Sequence, residues 1–148
     1  MIISIDKEKL IEPLKHVVGV SEKKQTMPIL GNVLLKVSSG KLLLVSSDLE
    51  VEIAAEISYP FDGDVETTLP ARKLLDIVKS MTEDEPTTID IEDTKAVIKS
   101  KKSKFTLATL PASDFPYKGT DEASNTYKIN IADLDNIIGQ TSFSMAIQ

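Results

Sequence analysis

Few side chains of this sequence are of the types that carry out catalysis. It holds a single histidine, His16, and no cysteine, so a thiolate nucleophile and a cysteine-ligated metal are excluded. The six glycines are scattered singly instead of forming a phosphate-binding loop, and no set of side chains has zinc-like spacing. The acid pairs Asp62/Asp64 and Asp90/Glu92 could contact a hard cation, although alternate acids are more typical of a strand's solvent face. We therefore expect a protein that is not an enzyme and needs no metal or cofactor.

The basic residues suggest a different chemistry, which is contact with phosphate groups. The chain carries 17 basic and 23 acidic residues, and its net charge of −6 is unlike that of a protein that binds nucleic acid tightly by itself. The charges are segregated, however: residues 48–66 hold seven acids and no base, whereas residues 95–104 hold five lysines. Such blocks are commonly solvated faces, and the alternative is a surface that meets a polyanion or an acidic partner.

Length and composition limit the architecture that could position these charges. The 148 residues, 41% hydrophobic and 27% charged, allow one globular domain and little more. The longest uninterrupted aliphatic run covers residues 42–45 and is far too short to span a membrane. The first ten residues lack the basic-then-apolar layout of a signal peptide. We expect a cytoplasmic location and no membrane contact.

Two helices are predicted from apolar stripes with helical spacing. In the first, Leu10, Leu14 and Val17 share one side, and Asp6 occupies the N-cap position. Pro13 lies inside this pattern and predicts a kink or a late start. The second helix runs from residue 70 to about 81, since a proline is favourable at a helix start, where its missing N–H costs nothing. The polar arc of the second helix carries a local charge of +2, as do the first helix and its following loop together.

Strands with alternating apolar residues surround both helices. They are predicted at 3–5, 32–37, 41–45 and 49–57, and then at 65–69, 87–91, 95–99 and 104–109. The 49–57 pattern is the clearest, because one side carries only apolar residues, namely Leu49, Val51, Ile53, Ala55 and Ile57. Residues 1–57 and 65–109 thus share one plan: a strand, a helix and three strands.

A third start of the same plan follows near the end of the chain. At an offset of 124 residues, Leu134 and Ile138 correspond to Leu10 and Leu14, and residues 127–129 correspond to the first predicted strand. The polar stretch 116–125 resembles a linker, and an apolar strand begins at residue 143. Because one helix and one strand cannot bury their apolar faces, we expect a fragment of a longer protein, with domain 1 over 1–122 and the start of domain 2 over 123–148. The alternative is a chance similarity over fifteen residues.

Five sequence motifs carry a more specific resemblance. They are TMPILGN at 26–32, SDLEVE at 47–52, LPARKLLDI at 69–77, FTLATLPASDFP at 105–116 and FSMA at 143–146. In this order and spacing they resemble the family of bacterial DNA polymerase III β subunits, the sliding clamps. The resemblance covers the whole chain, and it corresponds to the first of three family domains and the opening of the second.

The resemblance implies an α+β DNA-clamp fold with two strand–helix–three-strand units in a domain, the sheets outside and two helices on the inner face. It implies a processivity factor in which two subunits form a head-to-tail ring around duplex DNA and tether the replicative polymerase. It also implies a homodimer in the full-length protein. DNA polymerase III and the clamp loader would bind through domains that are absent from this sequence.

The resemblance also implies roles for individual residues. Lys24, Arg72 and Gln148 correspond to residues that contact the duplex without regard to base sequence, and Lys24 stands where the family often has arginine, whose forked geometry lysine lacks. The positions implied to contact the third domain of the other subunit are Lys73, Ile77, Met81, Phe105 and Leu107. The lysines of 95–104 would then face acids of that subunit.

Two other functions remain open at this point. One is a protein-interaction module that has the clamp fold but no direct DNA role, and the other is a small hydrolase. Arg72 and Lys24 on one concave face, with Glu50, Glu52 and Glu56 remote from it, would favour the clamp. Basic groups dispersed over the surface would favour the interaction module.

Overall fold

The computed structural model describes residues 1–21, 27–61, 63–82, 84–101, 103–119 and 125–145. The chain divides into two compact units, Met1–Tyr117 and Lys118–Gln148. The domain boundary predicted after residue 122 lies outside the described residues. Among the helices of the described residues, none is long and apolar enough to cross a membrane.

The first unit contains eight strands and two α-helices in the described residues. The first half holds β1 (Ile2–Ile5), α1 (Lys7–Val18), β2 (Asn32–Ser38), β3 (Lys41–Ser47) and β4 (Glu52–Ser58). The second half holds β5 (Val65–Pro70), α2 (Ala71–Ser80), β6 (Thr87–Ile91), β7 (Lys95–Ser100) and β8 (Ser103–Ala108). Short 3₁₀ turns span Pro28–Gly31 and Ala112–Asp114. The predicted plan of a strand, a helix and three strands is therefore present twice.

The two repeats exchange their first strands. Strand β1 pairs antiparallel with β6 of the second repeat, with Ile3 opposite Ile89, and β5 pairs antiparallel with β2 of the first, with Leu69 opposite Val33. The two four-stranded sheets consequently have the orders β1-β6-β7-β8 and β4-β3-β2-β5. Because each sheet needs a strand from the other repeat, the two repeats form one folding unit.

One core joins the helices to the sheets. Helix α1 packs against α2 and against β3 and β4. Most of the apolar stripe of each helix is buried, with no exposed surface on Leu10, Leu14, Val17, Leu74 and Val78. Ile11, Leu75 and Ile77, at the margins of the stripes, are only half-buried. Burying one such side chain stabilises the folded state by roughly 1.5–3 kcal/mol, so the helix stripes are a main source of stability.

The turn between β3 and β4 corrects one prediction. Leu49 and Val51 were predicted to lie on the inward face of a strand, but they are 58% and 50% exposed, and β4 begins only at Glu52. The Asp48 carboxylate accepts hydrogen bonds from the backbone N–H groups of Glu50 and Val51 at 2.9 and 2.6 Å. Leu49 has φ +79°, which is a turn conformation. Local side-chain bonds therefore override the apolar alternation here.

The start of α1 differs from one of the alternatives predicted for it. The helix begins at Lys7 and continues through Pro13, so a late start is wrong. Proline removes one backbone hydrogen bond from a helix interior, but the burial of Leu10 and Leu14 around it offsets that loss. Asp6 is the N-cap residue, as predicted, yet its side chain makes no capping bond.

The second unit contains helix α3 (Ile131–Ser142). Its bounds are those of α1 displaced by 124 residues, which agrees with the predicted third repeat. The strand predicted at 127–129 is wrong, because residues 125–130 have no strand pairing. A strand needs a hydrogen-bonding neighbour, and the described part of this unit contains no strand that could serve as one. The strand predicted from residue 143 is wrong over its described part, because residues 143–145 form a turn after α3. Residues 146–148 lie outside the described residues.

Candidate nucleic-acid interface

Side-chain hydrogen bonds link helices α1 and α2 at both ends. The Lys7 ammonium, at the start of α1, donates to the carbonyl oxygens of Met81 and Lys79 at 2.6 and 3.3 Å, at the end of α2. The Arg72 guanidinium, at the start of α2, donates through Nη2 to the carbonyl oxygen of Ser21, just beyond α1. The helices are therefore antiparallel, and a cation at the start of each satisfies carbonyls at the end of the other.

The exposed side of α2 is positively charged. Arg72, Lys73 and Lys79 are exposed there, on the side away from buried Leu74 and Val78. None of these three side chains forms an ion pair with a described residue. Arg72 is also the only arginine of the sequence. This face can contact phosphate oxygens without recognising a base sequence.

The exposed side of α1 is more nearly neutral. Lys9 lies 2.8 Å from Asp6, and Lys15 lies 2.5 Å from Glu12. The hydrogen bond from Lys15 and its charge lower the pKa of the Glu12 carboxyl, and the hydrogen bond to Asp6 and its charge raise the pKa of Lys9. Because these lysines are paired with acids in α1 or at its N-cap, α2 contributes more positive potential to the helix pair than α1.

One of the three predicted duplex-contacting residues, Arg72, is among the described residues. Arg72 lies on the exposed side of α2, as its position in the sequence predicted, with part of its guanidinium held by Ser21. Lys24 and Gln148 lie outside the described residues. Sequence reasoning missed the partner of Arg72 and the role of Lys7, because each bond joins residues more than 50 positions apart. The sequence contains no local signal for such pairs.

The residues predicted to meet another subunit differ in exposure. Lys73 is exposed, Phe105 is 36% exposed, and Ile77 is half-buried. Met81 and Leu107 are only 4% and 7% exposed and belong to the core of this unit. Phe105 and Leu107 lie on β8, which is an edge strand of its sheet. The predicted interface stays a prediction, with the β8 edge, Lys73 and Phe105 as its accessible part.

The lysine block at 95–104 is partly neutralised within the chain. Lys95 lies 3.0 Å from Glu92, and Lys101 lies 2.8 Å from Asp84. The hydrogen bond and charge of Lys101 lower the pKa of the Asp84 carboxyl, and the same hydrogen bond raises the pKa of Lys101. These pairs reduce the charge that the block presents to any outside partner.

A cavity lies beside the end of α2. It has a volume of about 630 Å³ and is lined by Ser80, Thr82, Glu85, Ser100, Lys101 and Ser103. This lining contains hydroxyl groups but no histidine that could activate one of them as a nucleophile. In the described part of the chain, no three His, Asp or Glu side chains are grouped so that they could hold a metal ion.

Two antiparallel four-stranded sheets that share a core with a hydrogen-bonded pair of helices define a clamp-fold domain. The model of the family "DNA polymerase III beta subunit, N-terminal domain" matches residues 1–118 of this chain. The chain therefore belongs to the DNA polymerase III beta subunit family, and the predicted family and fold class are confirmed.

Curated relatives and solved structures agree with this assignment. The beta sliding clamp of Pseudomonas aeruginosa is 42% identical over 149 residues, covering 100% of this chain and 41% of the relative, and that of Escherichia coli is 36% identical over 150 residues. The crystal structure of DNA polymerase III subunit beta from Pseudomonas aeruginosa matches with a TM-score of 0.91 and 42% identity, covering 100% of this chain and 40% of that one. A Caulobacter crescentus sliding clamp matches with a TM-score of 0.91 and 31% identity, with the same coverage. The chain thus spans about two fifths of the length of these proteins.

Proposed function

We propose that this chain forms the first part of a sliding-clamp processivity factor, a ring that encloses duplex DNA and tethers the replicative polymerase without catalysing a reaction itself. The observation that carries the proposal is the helix pair, whose basic residues on α2 are exposed and not ion-paired with described residues. The likeness of the whole chain to beta sliding clamps supports the same function.

The net charge of −6 is compatible with this function. A protein that binds DNA by contacts alone needs many phosphate contacts, because the charge neutralised there supplies most of the affinity. A closed ring is held on the duplex by its topology, so a small number of lysine and arginine contacts is sufficient. Weak contacts that do not read base sequence also permit sliding.

Among the residues of this chain, we assign the duplex contacts to Lys24, Arg72 and Gln148. Arg72 has the strongest physical support, because the Ser21 carbonyl oxygen restricts its guanidinium and therefore reduces the entropy lost on binding a phosphate. We further propose that the full-length protein is a cytoplasmic homodimer with domain 1 over residues 1–122 and domain 2 beginning at residue 123. DNA polymerase III and the clamp loader would bind to the domains that follow.

We also propose that the subunit contact involves Lys73, Ile77, Met81, Phe105 and Leu107. The edge position of β8 supports this assignment, since in the described residues β8 pairs with a strand only on its β7 side. In this arrangement Phe105 and Lys73 reach the partner directly, while Met81 and Leu107 support them from the core.

The proposal is tested by measuring how salt affects binding of this chain to one DNA duplex. Two phosphate contacts, from Lys24 and Arg72, predict a log–log salt slope of roughly −2 and a dissociation constant on the order of 10⁻⁴ M at physiological salt. Arg72→Ala should flatten the slope by about one unit, without changing any preference for base sequence. Lys36→Ala is the matched control, because it removes one positive charge from β2, where Lys36 lies 3.5 Å from Glu66.

Two outcomes would contradict the proposal. Micromolar binding with a steep slope that Arg72→Ala leaves unchanged would place the DNA-facing surface elsewhere, with the lysines of 95–104 as the first candidate. Absence of salt-dependent binding, even at low salt, would favour the alternative of an interaction module with no DNA role. The excess of acidic residues is the observation that supports this alternative.

A further inference from the structure

The same charge pattern occurs on both helices of the first unit. It consists of a lysine, an acid three residues later and a second lysine after three more residues. In α1 these residues are Lys9, Glu12 and Lys15. In α2, 64 positions further along, they are Lys73, Asp76 and Lys79. This repetition is unexpected, because the two repeats otherwise have little sequence in common.

The offset of 64 is also the structural offset between the helices. Helix α1 begins at residue 7 and α2 at residue 71, and buried Leu10 and Leu14 correspond to buried Leu74 and Val78. Residues that are two apart on a helix are separated by about 200° around its axis, since each residue turns it by about 100°. Asp76 is two residues from each of its buried neighbours, so it lies near the centre of the exposed side.

Glu12 occupies the same place on α1, two residues from Leu10 and from Leu14, and it is exposed. The two acids differ in their local partners. Glu12 lies 2.5 Å from Lys15 and neutralises it, whereas Asp76 makes no ion pair with a described residue. In both helices, therefore, a carboxylate stands in the middle of the surface where a phosphate would be attracted.

Helix α3 provides an internal comparison. Its residues at the three corresponding positions are Asp133, Asn136 and Gly139, so it has neither the lysines nor the central acid. The apolar positions of the repeat are nevertheless kept, as Leu134 and Ile138. A helix at this place in the repeat therefore does not require the charge pattern in order to form. The central acid is present in α1 and α2, which have the two lysines, and is absent from α3, which lacks them.

We infer that Glu12 and Asp76 limit the affinity of the helix pair for duplex DNA, so that the basic residues attract the duplex without holding it at one position. The inference rests on the proposed function, because it assumes that the helices face DNA. A phosphate that contacts Arg72 lies about one helical turn from the Asp76 carboxylate and is repelled by it. Glu12 acts additionally by competing with phosphate for the Lys15 ammonium.

The test measures binding of the 148-residue chain to one fluorescent duplex at several salt concentrations. Glu12→Gln and Asp76→Asn keep the size and exposure of each side chain while removing its charge. Each should strengthen binding about two- to five-fold at low salt, and the gain should shrink as salt is raised. Glu52→Gln on β4 and Asp93→Asn in the β6–β7 turn are matched controls, since they change the net charge equally on other elements.

The outcomes separate this inference from the proposed function. If Arg72→Ala weakens binding and only the two helix variants strengthen it, the inference is supported. If Arg72→Ala weakens binding but Glu12→Gln and Asp76→Asn do not strengthen it, the inference is overturned while the proposed function stands. Equal gains from the controls would also overturn it, because net charge alone would then explain the effect. If Arg72→Ala has no effect, the proposed function fails and the inference fails with it.

Discussion

Helices α1 and α3 each have 12 residues and begin at corresponding positions of two repeats, yet their surroundings differ. In α1, Leu10 and Leu14 are completely buried, whereas their counterparts Leu134 and Ile138 in α3 are 38% and 55% exposed. Strands β3 and β4 cover α1, and they come from residues that follow it in the chain. The described part of the second unit has no strand that could cover α3.

This difference separates helix formation from helix burial. Capping residues and apolar spacing act within a few residues, and they specify a helix at the same place in both repeats. Burial requires a sheet, and in the first unit that sheet includes a strand from the other repeat. Most of the stability of a helix in a folded protein comes from such packing, so α1 and α3 should respond very differently to the same substitution.

The largest expected effect is loss of a core side chain from α1. Leu14→Ala should lower the free energy of unfolding by roughly 2–5 kcal/mol, because Leu14 is fully buried and its removal leaves a cavity. Ile138→Ala, at the corresponding position of α3, should change it by less than about 0.5 kcal/mol. Chemical denaturation of the two variants measures both values. Equal losses would mean that α3 is buried as α1 is, and the comparison would fail.

The second expected effect is larger for α3 than for α1, which is the reverse of the first. Asn130 caps α3 through a 2.9 Å bond that its side chain accepts from the Ala132 N–H, whereas Asp6 makes no side-chain capping bond to α1. Asn130→Ala should therefore destabilise α3 by about 1 kcal/mol. Amide hydrogen exchange in the first turn of α3 reports this loss. Asp6→Ala is the matched control, and a greater loss of protection in α1 than in α3 would contradict the prediction.

The smallest expected effect concerns pH and the turn that leads into β4. Hydrogen bonds from the backbone N–H groups of Val51 and Glu50 lower the pKa of the Asp48 carboxyl in the folded state. The ionised carboxylate therefore adds stability above its unfolded pKa of about 3.9, and this contribution is lost as pH falls through the lower folded pKa.

Asp48→Ala should consequently reduce the free energy of unfolding at neutral pH, and its deficit should shrink in acid. Unfolding curves of both proteins between about pH 2 and 6 test this. A deficit that stays constant over this range would show that the turn is stabilised by something other than the carboxylate charge. Helix α3 should keep its hydrogen-exchange protection in both proteins, since the change lies in the turn between β3 and β4 of the first unit.

Much of the secondary structure could be predicted because its causes are local. Strand β6 has the predicted bounds, and α2 differs from its prediction by about one residue at each end. The strand before Glu52 was predicted wrongly, since alternation alone does not reveal that the Asp48 side chain will bind the backbone of the turn. The late start predicted for α1 likewise considered only the hydrogen bond that Pro13 removes. It did not include the burial of Leu10 and Leu14, which offsets that loss.

The candidate site was predictable only in part. Arg72 was predicted through a resemblance between sequences, and its exposed position on α2 agrees with that prediction. The bonds from Arg72 to Ser21 and from Lys7 to Met81 could not be predicted, because they join groups that are far apart in the chain. The repeated lysine–acid–lysine pattern is visible in the sequence, but its equivalence on the two helices depends on which apolar residues are buried.

The sequence by itself determined where helices and strands form and that one plan of elements recurs, because propensity, capping and apolar spacing act within a turn or a strand. Only the tertiary structure decided that β1 joins β6 and that β5 joins β2, since either repeat contains strands with suitable alternation. It also decided which surface of the helix pair is exposed. The physical reason is that strand pairing and burial depend on backbone groups and side chains brought together by folding, between residues as distant as Ile3 and Ile89.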